Sequence, residues 1–246
     1  RAASALGALT RRAEYLKDAA AMTRTMRDPL PTILDLDDLL TAYNIPTAPL
    51  RLATSVGEAT AIADEIGYPI VMKIASPDIP HKSDAGGVVL DIRDALTLLN
   101  AYTQIMKSVR KAKPDARING IHLQRQVPQG QEVIVGAVRD PQFGPLMMFG
   151  SGGVEVEGLQ DVSFALAPLT EAEASRMIRR TWAGRKLSGF RNIPPADEAS
   201  VVDILVRLSQ LVMDQEWIEE LEINPLRVLA HGAVAVDVRM KPHGTH

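Results

Sequence analysis

The chain has 246 residues, 46% hydrophobic and 23% charged, which suffices for one large domain or two small ones with a buried core. A formal charge of −3 excludes broad nucleic-acid binding, which needs a basic surface, so any anionic ligand has to meet local positive groups. The absence of cysteine removes disulfides, thiolate nucleophiles and Cys-ligated zinc, and fits a reducing cytosol.

No apolar run approaches the roughly 18 residues of a membrane span, and the start lacks a secretory hydrophobic stretch, so a cytoplasmic protein is expected. From Ala2 to about Arg27, Leu6, Leu9, Ala13, Leu16 and Ala20 recur at helical spacing until Pro29 and Pro31 stop the pattern. Residues 1–31 therefore read as a helical linker or the tail of an upstream domain, as expected of a segment of a longer polypeptide. From Asp35 the text alternates short helices and strands. Ser55 with Glu58 three residues later predicts a capping box, Gly67 a helix stop, and Tyr68 to Ala75 the first central strand. SPDIPHKSDAGG, Ser76 to Gly87, is rich in turn formers and reads as a loop, before a strand GVVLDI and a helix from Asp94 to Lys113.

Strands follow at Ile118 to Gln126 and Glu132 to Val138, joined by VPQGQ, then at Pro145 to Phe149. After the glycine loop Gly150 to Gly153 come helices around Glu171 to Thr181 and Asp197 to Asp214. A closing hairpin, LEINPLRVLAHGAVAVDVRM, turns near His231 and Gly232, and 241–246 form a tail. This order predicts a mixed α+β or α/β protein of two lobes, 32–122 and 123–240.

Several residues could carry chemistry. Alternation sends Lys73 to the face opposite Met72, where its ammonium suits a phosphate; a lysine snorkelling to solvent fits the same text. His81, in the loop with Lys82 and Asp84, could act as base, acid or covalent phosphate carrier, or be a surface histidine. In the closing hairpin Glu222 and Asn224 share a strand face, and the turn brings Asp237 within a residue or two of Asn224. These oxygens suit magnesium that takes its other ligands from water and nucleotide phosphates, or they form a polar face on an edge hairpin. Glu132 opens a strand and could bind a ribose or metal, or be solvated. The amides of Gly152 and Gly153 could cradle an anion, although GSGG is neither a Walker nor a Rossmann sequence and a plain turn explains it equally well. His122, within a strand, reads as packing.

Taken together, GYPIVMKIASPDIPHKSDAGGV, QEVIVGAVRDPQFGPLMMFGSGGVEVE, DVSFALAPL and LEINPL closely resemble the ATP-grasp portion of ADP-forming acetyl-CoA synthetases, relatives of the succinyl-CoA synthetase beta subunit. The match runs from about Leu34 to Met240. The resemblance implies an ATP-grasp fold whose two subdomains grip ATP or ADP, with adenine near Gln124, Arg125 and Val127. It implies Lys73 on phosphate, Glu132 along the nucleotide, and Asn224 and Asp237 on magnesium. It also implies Glu222 orienting a phosphohistidine and His81 as the additional histidine that passes phosphate to ADP, with Gly86 and Gly87 as a hinge. No CoA-binding segment or primary phosphohistidine domain is found in these residues. The resemblance therefore implies CoA on a partner, an upstream CoA-ligase domain or alpha-type subunit, and an oligomer in the full protein. The wording also resembles synthetase-like regions fused to GNAT acetyltransferase domains, which would make this a regulatory nucleotide-binding module. The HKSD and EINPL segments speak against a carboxylate-amine ligase.

Overall fold

The computed structural model describes residues 36–79, 81–153 and 161–244, so the helix expected at 2–27 lies outside the described residues. The chain divides into two compact units, one of residues 48–128 and the other joining the preceding segment to 129–246.

The unit of residues 48–128 is a four-stranded antiparallel sheet with two helices. Its elements are β1 (Arg51–Ala53), β2 (Ile70–Ala75), β3 (Val88–Ile92) and β4 (Gly120–Arg125), in the order β1-β4-β2-β3. Two helices, Val56–Ile66 and Ala95–Ala112, follow β1 and β3. The first is capped by the predicted Ser55, which accepts a hydrogen bond from the Glu58 amide, but the box does not close: the Glu58 side chain reaches past Ser55 to the Thr54 amide and hydroxyl. The second opens on an Asp94–Thr97 capping box and buries Leu98, Ala101, Ile105 and Val109, one stripe at helical spacing. That stripe, with Ala59, Ile62 and Ala63, packs on Ile70, Met72, Ile74, Ile121 and Leu123 of the sheet.

The other unit is built on a six-stranded antiparallel sheet. Its strands are β5 (Gln131–Asp140), β6 (Gly144–Ser151), β7 (Val162–Leu166), β8 (Ile218–Val228), β9 (Ala233–Ala235) and β10 (Val238–Pro242), in the order β10-β8-β5-β6-β7 with β9 also on β8. Helix α1 (Leu36–Ala42) precedes β1 in the chain, and Glu171–Arg179, Trp182–Leu187 and Glu198–Asp214 lie between β7 and β8. The last of these buries Val201, Ile204, Leu205, Leu208, Leu211 and Val212, which share one core with Val133, Val135, Met147, Phe149, Leu221, Ile223, Leu226 and Val228.

The division differs from the expected lobes in two ways. Residues 36–47 join the later unit, because Leu39, Leu40, Tyr43 and Ile45 lie in its core and the Pro46 carbonyl accepts the Ala235 amide at 2.8 Å. The boundary falls after Pro128 rather than after His122, since β4 stays hydrogen-bonded to β1 and β2 along its length. At the other end β10 runs to Pro242 and the His243 amide bonds the Trp217 carbonyl at 2.7 Å, so the tail starts later than position 241. Among the described residues no helix is long and apolar enough to cross a membrane.

Asp197 caps the helix Glu198–Asp214 through the Ser200 amide and also accepts the Gly232 amide from the β8–β9 turn at 2.8 Å. That backbone bond, with the Ser200 hydroxyl and amide, holds its carboxyl below the usual aspartate range. A depressed carboxylate stabilises the fold above its unfolded-state pKa, and this contribution is lost as pH falls through the folded value. The stability gap between the parent and Asp197→Ala should therefore be full near neutrality and shrink on acidification below about pH 4, measured by urea unfolding across pH. Leu208→Ala should cost about 2–5 kcal/mol, whereas Leu96→Ala, at a position 69% exposed, should change stability by less than about 0.5 kcal/mol in the same assay.

Candidate functional site

In the unit of residues 48–128 the strand pairing decides which side chains share a surface. Met72 enters the helix-covered core, and Lys73 points to the opposite face, as alternation predicts. Lys73 is only 8% exposed, and its cross-strand partner on β4 is His122. Gln124, two residues on, shares that face, is 2% exposed, and donates its side-chain amide to the Ala48 carbonyl. His122 thus stands beside Lys73 and Gln124 rather than in the core, and a strand histidine read one residue at a time gave no sign of this.

Arg125 pairs with Ile70 and lies on the helix-side face, exposed, so it offers the Lys73 face only its backbone. Val127 follows the end of β4 and is half-buried. The neighbouring Gln126 is tied at both ends, its amide to the Pro69 carbonyl at 3.0 Å and its side chain to the Asp91 amide at 2.6 Å.

His81 is exposed in the loop between β2 and β3. The loop is rooted on both sides. Asp78 takes the Arg117 side chain at 3.0 and 3.2 Å and its amide at 2.8 Å, and those bonds, side chain first, hold its carboxyl below the usual range. Ile79 and Ala85 are buried in the core. Gly86 and Gly87 form a closed turn, not a hinge: the Gly87 amide bonds the Lys82 carbonyl at 2.8 Å and the Gly86 amide bonds that of Ser83 at 3.0 Å. Glycine is needed there for close packing, since a Cβ on Gly87 would lie 2.5 Å from Ile74 Cγ2.

The other unit brings together more of the expected residues. Glu222 and Asn224 lie on the face of β8 opposite Leu221 and Ile223, which are in the core. Asp237 sits between β9 and β10, directly across from Asn224, whose amide bonds the Asp237 carbonyl at 2.9 Å. From β6 the glycine loop arrives against the same place. The Gly153 amide donates to Asn224 Oδ1 at 3.0 Å, and the Gly152 amide to the Glu132 carbonyl at 3.2 Å. Glu132 forms an ion pair with Arg227, its partner on β8. Gly153 has φ +64°, and a Cβ there would lie 2.5 Å from Glu132 Oε2. Glu132, Gly152, Gly153, Asn224 and Asp237 therefore form one cluster. Glu222 stands on the same face one turn of the pleat away, opposite Gly136 and Arg239.

The donor set fits magnesium in kind. Asn224 Oδ1 spends one lone pair on Gly153 and keeps a second, and the Asp237 carboxylate is 24% exposed, with Arg239 Nε 4.0 Å away. Among the described residues no group of three or more His, Asp or Glu side chains could hold a metal by themselves. Hard oxygens in small number, with room for water and phosphate, are what magnesium takes when it binds alongside a nucleotide.

A profile of the ATP-grasp domain matches residues 23–241. The chain belongs to the ATP-grasp domain family. Within it, the chain is 42% identical to the beta subunit of acetate–CoA ligase [ADP-forming] I of Pyrococcus furiosus, over 92% of this chain and 96% of that subunit. It is 47% identical to acetate–CoA ligase [ADP-forming] I of Archaeoglobus fulgidus over 82% of its own length, but spans only 29% of that longer protein. Among solved structures it resembles the acetyl-coenzyme A synthetase 1 of Ca. Korarchaeum cryptofilum in complex with coenzyme A and Ca-AMPCP. That likeness has a TM-score of 0.80 at 42% identity and covers 84% of this chain and 90% of that one. The same enzyme with Mg-AMPPCP, its phosphohistidine segment pointing towards the nucleotide binding site, matches with a TM-score of 0.72 at 38% identity, covering 83% of this chain and 88% of that one. The resemblance carried by the four sequence segments is borne out, and so is the mixed α and β fold.

The close approach of the glycine loop to β5 gives a test of the geometry. A Cβ on Gly152 would lie 2.5 Å from the Val133 carbonyl carbon, whereas nothing lies within 4 Å of one on Gly57. Gly152→Ala should destabilise by about 1–3 kcal/mol, and Gly57→Ala should leave the thermal midpoint unchanged or raise it.

Proposed function

We propose that this chain is the nucleotide-handling component of an ADP-forming acyl-CoA synthetase, passing phosphate between a phosphohistidine and ADP or ATP. The observation that carries this reading is the cluster of Glu132, Gly153, Asn224 and Asp237 on one sheet face, in a chain alignable with nearly all of a ligase beta subunit. The partner is an upstream CoA-ligase domain or an alpha-type subunit, which holds CoA and the acyl group, in an oligomeric cytoplasmic enzyme. Residues 1–31 are the tail or linker that leads from that partner in fused forms.

In the transfer the bond between phosphorus and a histidine nitrogen breaks as a terminal ADP oxygen bonds to the same phosphorus, and the freed imidazole regains its lone pair. Such a transfer is driven by in-line positioning and charge neutralisation more than by covalent chemistry. In the unit of residues 48–128, Lys73 neutralises phosphate, Gln124, Val127 and the backbone of Arg125 receive adenine, and His81 carries phosphate to ADP. In the other unit Glu132 lies along the nucleotide, Gly152 and Gly153 shape its bed, and Glu222 orients the incoming phosphohistidine. Asn224 Oδ1 and the Asp237 carboxylate hold magnesium, which supplies charge neutralisation at the phosphate oxygens when bound.

The test is to incubate the chain with magnesium and gamma-labelled ATP, alone and with an alpha-type subunit, beside His81→Ala. Acid-labile, base-stable label on the parent, lost in His81→Ala with the thermal midpoint unchanged, is expected. ATP binding without label, even with the partner present, would instead support the regulatory module of a GNAT fusion.

A further inference from the structure

The sequence reading gave Arg227 no role, and the function proposed above does not use it. Its position is nevertheless specific. Arg227 is three residues past Asn224 on β8 and directly across from Glu132 on β5. The Arg227 guanidinium bonds Glu132 Oε1, with the two side chains only 22% and 34% exposed.

Each end of Glu132 then meets something different. Oε1 faces Arg227, Oε2 lies 2.5 Å from where a Cβ on residue 153 would stand, and the backbone carbonyl accepts the Gly152 amide. The next amide, Gly153, is the one that donates to Asn224 Oδ1. A glutamate carboxylate rotates freely about its last bond, so a guanidinium N–H that holds one oxygen also sets the plane and with it the other oxygen. Without that bond the half-buried carboxylate gains by turning towards water, and the carboxylate edge against which Gly153 is packed goes with it.

We infer that Arg227 is a positioning residue for the nucleotide site. It orients Glu132, and through Glu132 and the Gly152–Gly153 segment it fixes the Asn224 amide oxygen. This rests on the proposed function, in which Glu132 and Asn224 serve the nucleotide and its metal.

The experiment is calorimetric titration of the full chain with ATP, with and without magnesium. It compares the parent, Arg227→Ala, Arg227→Lys, Glu132→Gln, the Arg227→Ala/Glu132→Gln double variant and Asn224→Ala, with thermal midpoints recorded in parallel. Arg227→Ala should weaken magnesium-ATP binding by about tenfold and reduce the affinity gained on adding magnesium. Arg227→Lys should recover part of the loss, since it keeps the charge without the planar fork. The double variant should bind no more weakly than Glu132→Gln, because both changes remove the same arrangement. Unchanged affinity in Arg227→Ala, even with a lowered midpoint, or additive losses in the double variant, would overturn the inference while leaving the function standing if Asn224→Ala loses its magnesium dependence. A folded parent that binds no ATP would overturn both.

Discussion

Strand β8 has to bury Leu221, Ile223, Leu226 and Val228 while keeping three polar side chains together on its other face, and a strict two-residue alternation cannot do both. Leu221 and Ile223 point into the core, and so do Leu226 and Val228, which have the opposite parity. The conflict is resolved by one extra residue at Asn224–Pro225, where the pairing with β5 steps from Ile223 opposite Val135 to Leu226 opposite Val133. Because of that step Arg227 emerges on the same face as Glu222 and Asn224. Without it alternation would carry Arg227 into the core and turn Leu226 and Val228 out onto the polar face, and Glu132 would lose its partner. The polar cluster is therefore a consequence of how β8 changes phase, and the hydrophobic core behind it enforces that phase.

The same face shows which placements in the candidate site follow from the text and which do not. Glu222 precedes the extra residue and Asn224 is the first residue of the step, so simple alternation still places both on one face, and the hairpin turn delivers Asp237 by counting. Lys73 is legible for the same reason, since Met72 and Ile74 fix the core side of β2. Arg227 is not legible, because its face depends on a bulge, and Pro225 marks an irregularity in the strand without fixing on which face the residues after it emerge. His122 and the glycine turn at 86–87 fail in a different way. Their roles depend on a neighbour from another segment, β2 for the histidine and the Lys82 and Ser83 carbonyls for the turn.

Elements were missed where the pattern is weak or inverted. Strand β7 exposes Val162 and Phe164 at 38% and 49% while burying Ser163, the reverse of what alternation looks for, and only its pairing with β6 makes it a strand. Trp182–Leu187 is too short for a helical stripe, and it is held instead by Thr181 and by Asp161, which accepts the Trp182 and Ala183 amides. Chain order suggests that helix α1 packs on the strands that follow it, and it does not. The apolar Leu39, Leu40, Tyr43 and Ile45 find their core in strands nearly a hundred residues and more away in the chain.

The loop that bears His81 sets a different balance from the cluster on β8. Asp78 with Arg117, Ile79, Ala85 and the turn at Gly86–Gly87 fix both of its roots, so ordering those roots is already part of folding. Among the described residues between Ile79 and Ala85, His81, Ser83 and Asp84 are exposed and Lys82 is half-buried. A long free loop would have to lose its conformational entropy each time it met a ligand, whereas a rooted one has only a few dihedrals left to order. On the proposed reading this confines the imidazole to a small region while keeping it open to solvent and to a partner.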